Sequence, residues 1–230
     1  MKKLTAAQLA LFIDHTFLKP DGAPDAVRKL CREAAAYGFA SVCVNPCEVA
    51  RAAKLLKGTP VKICSVVGFP LGQCCAATKA FEAARAVQDG AHELDFVVNV
   101  RLLKAAARGR RSALNELRRE LELCVSSAGS AVTKLIIECC FLTDDEKVFA
   151  CRLAKEAGFD FVKTSTGFGP GGATVGDVKL MRRTVGAKMG VKAAGGIRTL
   201  ADALAMIGAG ASRLGCSAGV AIMEEFKARG

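Results

Sequence analysis

GFDFVKTSTGFGPGG, residues 158–172, sets a lysine at the end of an apolar run. Phe159, Phe161 and Val162 read as a buried strand, Lys163 closes it, and small hydroxyls and glycines follow. Burying a lysine costs free energy unless it is paired or neutral. Lys163 therefore either reaches water or has a chemical task. The flanking segments have helical pattern. Thr143 followed by Asp-Asp-Glu opens a helix over 143–157 that stops at Gly158, and a second covers 174–188.

The same strand-then-helix unit recurs along the whole chain. Strand candidates are 11–17, 41–45, 61–69, 93–100, 134–140, 159–165, 190–196 and 212–217. Helical segments fill the gaps at 24–37, 46–57, 76–89, 110–127, 143–157, 174–188, 199–208 and 218–228. Apolar strands alternating with helices imply a parallel sheet covered by helices. Eight such units in 230 residues fit an α/β fold of the (β/α)8 TIM-barrel type, a single domain over 1–230. A doubly wound open sheet would carry a Gly-x-Gly-x-x-Gly turn after an early strand, and this sequence has none. MKKLTAAQLALFIDH at the N-terminus has lysines before apolar residues but no small-residue cleavage site, and reads as a short first helix.

Composition narrows the function classes. No stretch of 18 residues lacks charge, which excludes a membrane-spanning helix from the expectation. Eleven cysteines, two pairs of them adjacent and most inside apolar runs, suit reduced thiols in a cytoplasmic protein better than a disulfide framework. With no Cys-x-x-Cys and only His15 and His92, no metal site is expected. The net charge is +11, and seven basic residues fall between Arg101 and Arg119. That stretch has no aromatic residue for base stacking, so a solvated helix face or attraction of an anionic substrate is preferred over nucleic-acid binding.

In such a barrel the chemistry sits at the C-terminal ends of the strands. Asp14, His15 and Lys19 stand after the first strand, and Cys43 and Asn45 end the second. Asp95 and Asn99 lie in the fourth, Glu138 ends the fifth, Lys163 the sixth, and Lys192 lies in the seventh. Two lysines on adjacent strands about 4.8 Å apart repel as ammonium ions, so one gives up its proton readily. A neutral amine can then attack an aldehyde or ketone to form a Schiff base. Asp95 is the candidate for moving protons. Glycines at 195, 196 and 215, after the seventh and eighth strands, match the phosphate position of these barrels, and Gly167, Gly171 and Gly172 extend it.

DHTFLKP (14–20), SVCVNP (41–46), VVGFPLG (66–72), ELDFVVNV (93–100), FVKTSTGF (161–168), VKAAGGIRT (191–199) and RLGCSAG (213–219) together resemble the deoxyribose-phosphate aldolase family. The resemblance spans nearly the whole chain. It implies a class I aldolase without metal or other cofactor. Its reaction would be the reversible cleavage of 2-deoxy-D-ribose 5-phosphate to D-glyceraldehyde 3-phosphate and acetaldehyde. It implies that Lys163 forms the Schiff base and that Asp95 gives and takes the proton. Lys192 would perturb Lys163 and join the relay, with Asp14 nearby. Phosphate would rest on Gly167, Gly195, Gly196 and Gly215, with Thr166 and the Ser217 hydroxyl. Cys43 would lie near the aldehyde, as a pocket lining or a reactive thiol. Homodimers are expected from the same resemblance. Cys216 and Ala218 depart from the family pattern after the eighth strand, as does Gln-Cys-Cys-Ala at 73–76. The rival readings are another Schiff-base phosphate-sugar aldolase or a transaldolase, and a basic nucleic-acid-binding protein.

Overall fold

Eight parallel strands close into one barrel in sequential order, β1 to β8, with β1 pairing β8. The structure, a computed structural model, describes residues 4–229. Lys2 and Lys3 of the N-terminal segment, and Gly230, lie outside the described residues. The strands are β1 (Ile13–Thr16), β2 (Ser41–Val44), β3 (Lys62–Val67), β4 (Glu93–Val97), β5 (Val132–Ile136), β6 (Phe161–Lys163), β7 (Gly190–Ala194) and β8 (Arg213–Cys216). The helices are α1 (Ala6–Ala10), α2 (Ala26–Tyr37), α3 (Val49–Leu55), α4 (Ala76–Gln88), α5 (Val100–Ala107), α6 (Arg111–Ser127), α7 (Asp144–Ala157), α8 (Val175–Val185), α9 (Leu200–Gly208) and α10 (Gly219–Ala228). The expected (β/α)8 barrel with a short N-terminal helix is what forms.

Local signals explain the boundaries. At α7 the Thr143 hydroxyl accepts from the Glu146 backbone N–H at 3.2 Å, and the Glu146 carboxylate accepts from the Thr143 N–H at 2.9 Å. Such a reciprocal cap is worth about 1 kcal/mol. Gly158 ends the helix with φ of 89°, a left-handed turn that favours glycine. The main core packs between strands and helices, with Leu94, Phe96, Leu117, Leu121 and Leu135 among its fully buried side chains. Each contributes about 1.5–3 kcal/mol through its burial.

The strand ends differ from the sequence expectation. The fourth strand stops at Val97 rather than running to Val100, because Asn99 caps a further helix, α5, by accepting from the Leu102 N–H at 3.1 Å. Most other strands also end earlier than their apolar runs, and the remaining residues turn into loops on the C-terminal face. Behind β4, Lys79 is fully buried between the Val97 carbonyl, at 2.7 Å, and Glu120, at 2.8 Å. It ties α4 to α6 and lies outside the barrel.

Candidate active site

Lys163 and Lys192 are registered partners on β6 and β7. Both ammonium groups meet one oxygen of Asp95, each at 2.7 Å. The other Asp95 oxygen accepts from Lys134 of β5 at 2.8 Å. Lys192 also reaches Asp14 on β1 at 2.5 Å. It crosses Gly215 of β8 on the way, where a Cβ would lie 3.0 Å from the lysine Cε. Gly215 thus clears the path for an ion pair between strands that are not neighbours. Below, Arg213 joins Asp14 at 2.6 Å to Glu93 at 3.1 Å, and Glu93 holds Lys134 at 2.6 Å.

The expectation of two bare, mutually repelling lysines is corrected here: a carboxylate bridges them. Burial works against the Asp95 charge, but Lys134, Lys163 and Lys192 outweigh it and hold the carboxyl well below the usual range. Asp14 is likewise lowered by Lys192 and Arg213 against its burial. Burial disfavours the Lys192 cation, yet Asp14 and Asp95 raise its pKa above the ordinary lysine value. The network holds four cations, Lys134, Lys163, Lys192 and Arg213, against three carboxylates, Asp14, Glu93 and Asp95. One positive charge is in surplus.

Lys163 stands on the floor of a cavity of about 520 Å³ at the C-terminal mouth of the barrel. Thr166, Gly167, Gly195, Gly196, Gly215 and Ser217 all line it, so the six positions proposed for phosphate are brought together above the lysine. Gly167 and Gly195 have φ of 85° and 86°, conformations that side chains resist. Gly172 and Gly195 touch so closely that a Cβ on Gly172 would sit 2.3 Å from the Gly195 carbonyl oxygen. Thr166 is partly engaged: its hydroxyl donates to Glu138 and accepts from the Phe168 N–H at 3.0 Å. It fixes the loop rather than presenting a free hydroxyl. Lys19 and Arg198 also line the cavity and add cations to its rim. A second depression, about 590 Å³ and lined by Lys155, Arg182 and Lys188, opens on the opposite, N-terminal face, away from the lysine network.

Cys43 is not on the cavity wall. It lies deeper, with Leu18, Cys64 and Val66 in a small apolar cluster next to Phe69. The hydrogen bond with Cys64 lowers the Cys43 pKa, while burial pushes Cys64 up. A sulfur from each of these cysteines and an oxygen of Asp95 lie within 4.8 Å of one another, a grouping of metal-ligand type. Sequence spacing could not disclose it, since three different strands supply the atoms.

Sequence reasoning missed Glu93, Lys134, Cys64 and Arg213 as site residues. Their signal was the one that exposed Asp95: polar groups within apolar strand runs. They sit nearer the strand starts, where a charged residue reads as a solvent-facing end. Glu138 was noted at its strand end but given no role; it is buried and anchors Thr166.

The comparisons agree with this geometry. Residues 8–225 match the DeoC/LacD family aldolase profile. A deoxyribose-phosphate aldolase of Caldanaerobacter subterraneus subsp. tengcongensis is 54% identical over 229 residues, covering 100% of this chain and 98% of that one. Another of that name, from Streptococcus equi subsp. zooepidemicus, is 58% identical over 219 residues, covering 95% and 97%. Among solved structures, the tetrameric deoxyribose phosphate aldolase of Aeropyrum pernix superposes with a TM-score of 0.88 at 35% identity, covering 98% of this chain and 94% of that one. A barrel matched almost end to end, with more than half of its residues shared with curated aldolases, makes this chain a member of the DeoC/LacD family of aldolases.

Proposed function

We propose that this protein cleaves and forms 2-deoxy-D-ribose 5-phosphate through a Schiff base on Lys163, releasing D-glyceraldehyde 3-phosphate and acetaldehyde. The observation that carries the reading is Lys163 on the cavity floor, 2.7 Å from Asp95, beneath the glycine turns. Nucleophilic attack needs a neutral amine. Of the four cations Lys163 alone holds a single carboxylate oxygen, so freeing it breaks the fewest ion pairs. Losing one proton there also removes the surplus charge of the network.

The amine attacks the aldehyde carbon of the open-chain sugar, and loss of water leaves an iminium. The C3 hydroxyl proton passes to a base and the C2–C3 bond breaks. Its electrons go to the iminium, giving a two-carbon enamine, and glyceraldehyde 3-phosphate departs. Protonation of the enamine and hydrolysis return Lys163 and release acetaldehyde. Asp95 is the proton carrier, and Lys192 and Lys134 hold it as a carboxylate between transfers. Gly167, Gly195, Gly196 and Gly215 offer backbone to the phosphate, with Ser217 beside them and the α10 N-terminus adding a partial positive charge. The step needs no metal. All eleven cysteines are free, which suits a reducing, cytoplasmic setting. Among the described residues no helix is long and apolar enough to cross a membrane.

The test is a borohydride trap with acetaldehyde, followed by mass mapping and an assay with 2-deoxyribose 5-phosphate. A two-carbon adduct confined to Lys163, together with turnover, is expected. Lys163→Ala should remove both, with activity down by at least a thousandfold and the unfolding temperature near that of the parent. A protein that traps only a three-carbon ketone donor would instead be a transaldolase or a different phosphate-sugar aldolase.

A further inference from the structure

Cys43 and Cys64 are registered partners on β2 and β3, and both are fully buried. The Cys64 thiol donates to Asp95 Oδ1 at 3.1 Å, and Lys134 Nζ lies 3.4 Å from its sulfur. The proposed reaction makes no use of Cys64. We propose that Cys43, Cys64 and Asp95 form a binding site for a thiophilic divalent cation of the zinc or cadmium type, and that its occupancy stops the chemistry at Lys163.

Two sulfurs and one carboxylate oxygen suit such an ion and leave a fourth position for water. With bonds of about 2.0–2.3 Å, tetrahedral coordination spaces ligand atoms about 3.3–3.8 Å apart. The three atoms already lie within 4.8 Å of one another, so closure by no more than about 1.5 Å completes the set. Binding displaces both thiol protons to solvent while the metal joins two thiolates. Two charges enter and two leave, so the surplus of one positive charge in the lysine network is unchanged. The neighbouring ammonium groups therefore do not exclude the ion through net charge. Asp95 becomes a metal ligand and stops carrying protons for Lys163. Leu18 lines the mouth cavity and belongs to the same buried cluster as the two cysteines, so an entering ion must displace this side chain.

Exposed thiols compete for such ions, above all the adjacent pair Cys74 and Cys75, with Cys47 and Cys140 also at or near the surface. The test therefore titrates the full chain with CdCl2 in a non-thiol reductant. It follows cadmium–thiolate absorption, proton release and aldolase rate. One tight equivalent, two protons per metal, and a rate at least tenfold lower that a chelator restores are expected. Cys64→Ser should lose the tight equivalent and become at least tenfold less sensitive, while a Cys74→Ser, Cys75→Ser double variant keeps both. Unchanged binding in C64S, or loss of the tight site in the double variant, overturns the proposal. If C64S fails to fold, the same titration is run on the parent protein with its surface thiols alkylated under native conditions. The tight equivalent must survive alkylation, and its disappearance refutes the buried site. Absorption and proton counts do not depend on turnover, so they are independent of the reaction proposed above.

Discussion

At Asp95 one oxygen meets Lys163 and Lys192 and the other meets Lys134, all within 2.8 Å. Removing that charge while keeping the shape isolates its contribution. Asp95→Asn leaves four cations, three of them buried, facing two carboxylates, and breaking a buried pair costs about 3–5 kcal/mol. We expect a lower denaturation midpoint by chemical unfolding and a rate about 10²- to 10⁴-fold lower, the range for losing a proton carrier. Borohydride trapping at Lys163 should persist, more slowly. A near-parental rate would remove Asp95 from the relay. At this scale the sequence was partly legible. Lys163, Lys192 and Asp95 stand out as charges inside apolar runs, and the structure unites them with Asp14. Lys134, Glu93 and Arg213 carry the same mark, but only the closed barrel brings strand starts on β4, β5 and β8 to one centre.

Between elements, the proposed phosphate cradle depends on two loops in backbone contact. The Ala173 N–H donates to the Gly195 carbonyl at 3.0 Å, and Gly172 packs on the same carbonyl. A methyl at Gly172, 2.3 Å from that oxygen, must push the loops after β6 and β7 apart. Gly172→Ala should therefore raise KM for the phosphorylated sugar at least tenfold. The acetaldehyde trap at Lys163, which involves no phosphate, should keep its rate. Equal loss in both assays would mean that the loop contact supports the lysine rather than the cradle. The existence of each strand and its helix could be read from apolar runs, because burial on both faces demands them. Where the strands stop could not. FVKTSTGF and VKAAGGIRT continue in small or apolar residues that the mouth loops use for close backbone contact, so composition alone extends the strand. The α5 helix escaped for a related reason: Val98 and Val100 flank Asn99, whose role as a cap depends on its position after β4.

For the whole molecule, the buried network makes stability depend on pH in a defined direction. Asp14 and Asp95 have lowered folded pKa values. Their contribution is complete above the unfolded value of about 3.9 and is lost as pH falls through the folded values. Lys134 and Lys192 have raised ones, so theirs is complete below about 10.4 and is lost as pH rises through the folded values. Lys192→Leu removes a partner from both carboxylates. The variant should be less stable at pH 7, and its deficit against the parent should shrink as pH falls below about 4 toward the lowered folded values, read by chemical denaturation. A deficit constant across that range would mean that lost packing, not charge, is responsible.

The surplus of positive charge, +11 overall, acts on a substrate that carries a phosphate dianion. Lys19 and Arg198 line the mouth cavity, and Lys163 stands on its floor. The α5–α6 stretch between Arg101 and Arg119 accounts for seven of the basic residues. Two of them are tied down there, Lys104 by Glu146 at 2.8 Å and Arg118 by Glu156 at 3.3 Å. A field of this sign raises the local concentration of an anion, and salt shortens its reach to about 10 Å at 0.1 M. Raising ionic strength from about 0.02 M to about 0.5 M, where the reach falls below about 5 Å, should therefore lower kcat/KM for the phosphorylated sugar several-fold. The same change should leave the trapping of neutral acetaldehyde at Lys163 unaltered. Lys19→Ala and Arg198→Ala should each flatten the salt dependence, whereas Arg111→Ala, outside the lining of the mouth cavity, should flatten it less. If all three variants flatten it equally, the whole surface steers the substrate. If none does and the rate ignores salt, the positive balance has no part in binding the anion, and recognition rests on the glycine backbone alone.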